Sequence, residues 1–169
     1  MTTAEKTQTR ERLDLLQTLD KHRHFLRFTT RDLSDEQARR RTTVSSLTLG
    51  GLIKHVAATE FSWMNFALDG AEGMARSVGD YENGFTMLPD ETLEILLQRY
   101  SDVARQTTEI VNDLADLDAE HSLPEAPWFE KGASWSARRV LLHLVAETAQ
   151  HAGHADIIRE SIDGAKTMG

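Results

Sequence analysis

The chain has 169 residues, 40% of them hydrophobic, with 3 Pro, 10 Gly and no cysteine. That size suits one domain over 1–169 with a core of its own, and the missing thiols exclude disulfides, a cysteine nucleophile and a Cys-ligated metal. A net charge of -8 argues against a nucleic-acid partner; with no run near the ~18 apolar residues of a membrane span and no apolar signal core, a cytoplasmic protein is expected.

The spacing predicts a first helix over about 10–31, with Leu13, Leu16, Leu19, Leu26 and Phe28 supplying apolar contacts. Leu33-Ser34-Asp35-Glu36-Gln37 follows as a connection with a short helical turn, where Ser34 and Gln37 have capping-box spacing. Next in the chain, Arg39-Arg40-Arg41 reads as a solvated basic face. A second long helix is expected from near Thr48 to near Gly70, with Leu52, His55, Val56, Thr59, Trp63 and Phe66 inward. Gly50 and Gly51 weaken its first turn or allow close packing.

Residues 70–88 carry Gly70, Gly73, Gly79 and Gly84 without a clear period, and connections this long are often functional. A third helix is expected from Pro89 or Asp90 to Leu117, on the repeat of Leu93, Leu96, Leu97, Tyr100, Val103, Ile110, Val111 and Leu114. Residues 119–134 read as a loop, with Trp128 and Phe129 as candidates for a pocket lid. Ser134 or Ser136 caps a fourth helix that ends near Asp163-Gly164. No strand-like alternation of useful length is present. The expected fold is all-α, a four-helix bundle with long crossover connections after helices two and three.

The last helix carries the chemistry. Its inward stripe is Val140, Leu144, Glu147, His151, His154, Ile158. Such a stripe should be apolar, yet a carboxylate and two imidazoles stand in its middle. A buried carboxylate needs a partner. Glu147 and His151 are one turn apart, about 6 Å along the axis. That spacing suits an ordinary hydrogen-bonded pair or two ligands of one divalent ion. For the second reading His55, in the middle of helix two, is the best third donor. Two histidines and one carboxylate leave positions open for water or substrate, which suits catalysis. His154 shares the face and reads as a ligand, a partner of one, or a gate. His143 reads as core or surface, and His121 as a solvated loop residue.

These residues carry a resemblance. The stretch Leu33-Ser34-Asp35-Glu36-Gln37, the segment 47–63 around His55, and the segment 139–160 continuing to Asp163-Gly164 resemble the DinB-like superfamily of metal-binding four-helix bundles. The last segment is similar to an actinobacterial branch of unknown function labelled mini-circle protein. The resemblance covers nearly the whole chain. It implies a divalent metal, zinc or nickel, on His55 and on two residues four apart in the last helix. Many members have histidine at both of those places, where this sequence has Glu147 and His151.

A carboxylate at the first of them is similar to mycothiol-dependent maleylpyruvate isomerase. That similarity implies a low-molecular-weight thiol as cosubstrate, bound to the metal as thiolate. The isomerase has a further C-terminal domain contributing to its site, and this sequence ends soon after the last helix, so S-transfer to a xenobiotic or metabolite is expected and isomerisation is not. The leading expectation is a metal-dependent thiol S-transferase acting on small electrophiles. Its ligands are His55, Glu147 and His151, and His154 or Glu60 orients water or a proton. The alternatives are a stress-linked protein that binds a metal or small ligand, and a metal hydrolase with a bound water as nucleophile. The resemblance also implies a homodimer. Adjacent apolar residues that widen helix one (Leu13, Leu15, Leu16, Leu19) and helix three (Leu96-Leu97, Ile110-Val111) support it, unless the bundle's own core absorbs them.

Overall fold

The computed structural model describes residues 9–77 and 83–167. Four long helices form the bundle: α1 (Arg10–Phe28), α3 (Leu49–Ser77), α4 (Leu93–Asp113) and α5 (Ala137–Asp163). α5 packs on α1 and α3, and α4 closes the ring against both of those. Between α1 and α3, α2 (Asp35–Arg39) is the expected short turn. Its capping box is complete: Gln37 N donates to Ser34 Oγ at 3.2 Å, and Ser34 N donates to Gln37 Oε1 at 2.9 Å.

Several boundaries differ from the sequence reading. α3 runs on to Ser77, but its axis breaks at Gly70, where φ is 65° and ψ is -150°. Only glycine takes that backbone freely, so the expected stop is a kink followed by two more helical turns. α4 begins later, because Thr92 and not Asp90 supplies the N-cap, accepting from Ile95 N at 3.2 Å. It ends earlier, where Leu114 turns to φ -53° and ψ 129°. Residues 119–134 are not wholly loop. β1 (Glu120–Ser122) and β2 (Ser134–Ser136) pair antiparallel, with His121 opposite Trp135. Three residues are too few to show an alternation in sequence. Ser136 ends β2 and caps α5, accepting from Arg139 N at 3.2 Å. Gly164 closes α5 in the left-handed region at φ 78°.

The interior is layered. One apolar cluster holds Leu26, Val56, Leu96, Tyr100 and Ala152. The other holds Leu19, Trp63, Val111 and Leu144. Along each helix a buried polar residue stands between the two: Arg23 on α1, Glu60 on α3, Thr107 on α4 and Thr148, followed by His151, on α5. The Arg23 guanidinium grips both oxygens of Glu60, with Nε 3.0 Å from Oε2. Thr107 donates to Oε1 at 2.6 Å. The residues that widen helices one and three lie in or against these clusters: Leu16, Leu19, Leu96 and Val111 are buried, and Leu15, Leu97 and Ile110 pack on them. The bundle's own core therefore accounts for most of that width.

Candidate metal centre

His55 lies in the second turn of α3, and Glu147 and His151 lie mid-way along α5. The packing of α3 on α5 brings them together. Glu147 Oε1 is 3.1 Å from Nε2 of His55 and 3.1 Å from Nε2 of His151. The three donor atoms lie within 4.8 Å of one another. Donors bound about 2.0–2.1 Å from a tetrahedral ion stand about 3.3 Å apart, so both imidazole–carboxylate separations match coordination edges. The donor set fits a divalent ion.

Electrostatics agree with that fit. Hydrogen bonds from His151 and then His55 hold the Glu147 carboxyl well below the usual carboxylate range, against the opposing effect of burial. Glu147 is therefore ionised at neutral pH, the state a ligand needs. Thr59, one turn after His55, brings Oγ1 to 3.4 Å from His55 Nε2. His154 Nδ1 lies 3.3 Å from His151 Nδ1. One of those nitrogens must carry the hydrogen and the other accept it.

Glu60 stands elsewhere. Five residues after His55, it points about 140° around the helix, into the buried layer. Both its oxygens are taken up by Arg23, and Thr107 adds a third bond. The sequence showed an acid near His55 but not the arginine that claims it.

The other candidates are also placed. His143 is half-buried edge-on against the stacked pair Trp63 and Trp135, with ring centroids 5.0 and 5.3 Å away, as a core residue would be. His121 is not a free loop residue: it sits in β1, with its ring 5.9 Å from that of Phe66. Phe129 packs edge-on to Trp63 and Trp135, while Trp128 is 69% exposed. The two are therefore not a common lid. Phe129 borders a groove of about 450 Å³ formed by the 123–132 turn. A second groove, of about 550 Å³, lies between Arg31 and Leu97. Neither groove is lined by the triad.

One neighbour of the centre was missed. Phe85, in a stretch without period, lies flat on the His55 ring, with centroids 3.7 Å apart and planes inclined by 18°. The adjacent Gly50 and Gly51 were the available signal, because close backbone approach needs glycine.

The sequence model of the family described as Mycothiol-S-transferase matches residues 14–164. The chain belongs to that family. The matched span runs from α1 to the C-cap of α5 and includes His55, Glu147 and His151. The family is DinB-like, in agreement with the helical bundle. A conserved protein of Enterococcus faecalis, known from its crystal structure, superposes with a TM-score of 0.67 over 90% of this chain and 97% of that one. At 13% identity the likeness is one of fold. No curated protein matches the sequence. Among the described residues, no helix is long and apolar enough to cross a membrane.

Proposed function

We propose that the chain is a divalent-metal-dependent S-transferase that joins a low-molecular-weight thiol of the mycothiol type to a small electrophile. His55, Glu147 and His151 hold the ion. The supporting observation is the convergence of three donor atoms from two helices within 4.8 Å, in a member of the mycothiol S-transferase family. A zinc or nickel ion held there supplies a positive centre beside which a thiol stays deprotonated at neutral pH. The chain's own residues do the rest. Glu147 brings the balancing negative charge, already ionised through its two imidazole partners. His154 acts through His151, fixing by its hydrogen bond which His151 nitrogen faces the centre. Glu60 has no part in the reaction.

The thiol is a cosubstrate, since the protein has no cysteine. Its sulfur forms a bond to the electrophilic carbon, the leaving group departs with its electron pair, and the thiol proton passes to water. Detoxification or biosynthesis in the cytoplasm, where such thiols stay reduced, is the setting of this reading. Its protein partner is a second copy of the chain. Leu142 and Ile157 on α5, with Phe61 and Leu68 on α3, are among the exposed apolar side chains and would make that contact.

The test is steady-state conjugation of a reactive alkyl halide by the metal-loaded protein, with mycothiol, bacillithiol, glutathione or no thiol. Turnover that requires thiol and is fastest with mycothiol is expected. Equal turnover without thiol would make the protein a hydrolase. No turnover under any condition would leave a protein that binds a metal or small ligand.

A further inference from the structure

Phe85 is held against the triad by a backbone seat. Its ring lies flat on His55 and 5.9 Å from the ring of His151, and 38% of the residue remains exposed. The segment that follows it is pinned against α3. Lys54 Nζ donates to the carbonyl of Thr86 at 3.2 Å and pairs with Glu91 at 3.0 Å. Met87 is buried in the core beside α3. Beneath the segment runs the first turn of α3. A Cβ on Gly51 would stand 1.9 Å from the carbonyl oxygen of Phe85, and that atom is backbone. A Cβ on Gly50 would stand 2.4 Å from Met87 Sδ, the movable end of a side chain. Gly51 therefore sets where Phe85 sits.

The donors of the centre are polar and partly exposed: the side chains of His55 and Glu147 are each 20% accessible, and that of His151 is 11%. Phe85 is the apolar surface stacked on this opening. A ligand that reached the triad from the side of Phe85 would present its donor atom to the three residues and have its body beside the ring.

We propose that Phe85 is a specificity-determining contact, selecting ligands with an apolar or aromatic body next to the donor or reacting atom over small polar ones. This rests on the reading of His55, Glu147 and His151 as a metal centre, and the experiment separates the two. The full chain is loaded with cobalt(II) and titrated with phenylmethanethiol and with 2-mercaptoethanol, following sulfur-to-metal charge-transfer absorption. The protein should bind phenylmethanethiol about tenfold more tightly. Phe85→Ala should cut that preference to about threefold or less at unchanged cobalt content. Phe85→Leu should keep most of it. Gly51→Ala, which leaves the ring intact but displaces its backbone, should also lower it. Uptake of cobalt with the same preference in wild type and Phe85→Ala overturns this proposal and leaves the metal centre standing. No uptake of cobalt by the wild-type chain overturns both.

Discussion

His55 Nε2 and Glu147 Oε1 stand 3.1 Å apart although 92 positions separate them in the chain. The same oxygen serves His151, so one carboxylate atom ties α3 to α5 and joins two imidazoles. The centre depends on how these helices pack as much as on its own side chains.

Purified protein should carry about one divalent ion per chain. His55→Ala, Glu147→Ala and His151→Ala should each lose most of it, as elemental analysis after gel filtration would show. His154→Ala should weaken binding by about 10-fold in a chelator competition, the scale for a partner that orients a ligand. His143→Ala should retain the ion. Wild-type metal content in all three ligand variants would refute the triad.

Glu60→Ala takes the buried carboxylate from the Arg23 guanidinium, which keeps its ion pair with the exposed Asp20. Removing one partner of such a pair costs about 3–5 kcal/mol, read as a lower urea midpoint. The folded protein should keep its metal. A variant with unchanged stability but no conjugation activity would return Glu60 to the reaction.

The pH dependence of stability should carry a contribution from His143. Burial against the stacked Trp63 and Trp135 holds its pKa below the usual value, and the opposing pull of Glu147 does not cancel this. Below the unfolded value of about 6.5, the unfolded chain therefore binds more protons at this residue than the folded one. The stability it contributes is present above about pH 6.5 and is lost as pH falls through the folded value. His143→Phe should consequently lose less stability than wild type between about pH 7.5 and about pH 5 in parallel urea titrations. An equal or larger loss would contradict the assignment.

Tyr100 tests the polar layer. Its hydroxyl and that of Thr148 are both buried, yet among the described residues neither oxygen reaches a partner in full hydrogen-bond geometry. Burial, then the charge of Glu60, drives the phenol pKa upward; Thr148 partly opposes the rise, and the phenol stays neutral. Removing an unsatisfied hydroxyl removes a desolvation cost of about 1–3 kcal/mol. Tyr100→Phe should leave the melting temperature unchanged or raise it. A clear drop on calorimetry would mean that the hydroxyl has a partner in solution.

Light scattering at low micromolar protein should give twice the chain mass of 19.0 kDa. Leu142→Arg with Ile157→Arg should shift it to one chain without unfolding, because both residues face outward. A single-chain mass for wild type at every concentration would remove the dimer.

The sequence by itself determined the features that live within one helix. Glu147 and His151 stand out because the 3.6-residue period fixes which α5 side chains share a face, and a carboxylate in an apolar stripe breaks that pattern. The Ser34–Gln37 box and the Gly164 stop were legible because caps act over three or four residues. His55 was legible through its place on an inward face together with the family resemblance.

Tertiary structure decided the rest, since it depends on groups far apart in the chain meeting. Glu60 is a structural ion-pair residue only because α1 delivers Arg23 across 37 positions. Phe85 reaches His55 only because Gly51 lets an aperiodic backbone press against α3. His121 and Trp135 pair through strands of three residues, below the length at which alternation shows. Periodicity encodes direction within an element, whereas which elements touch, and at what height, follows from how the whole core packs.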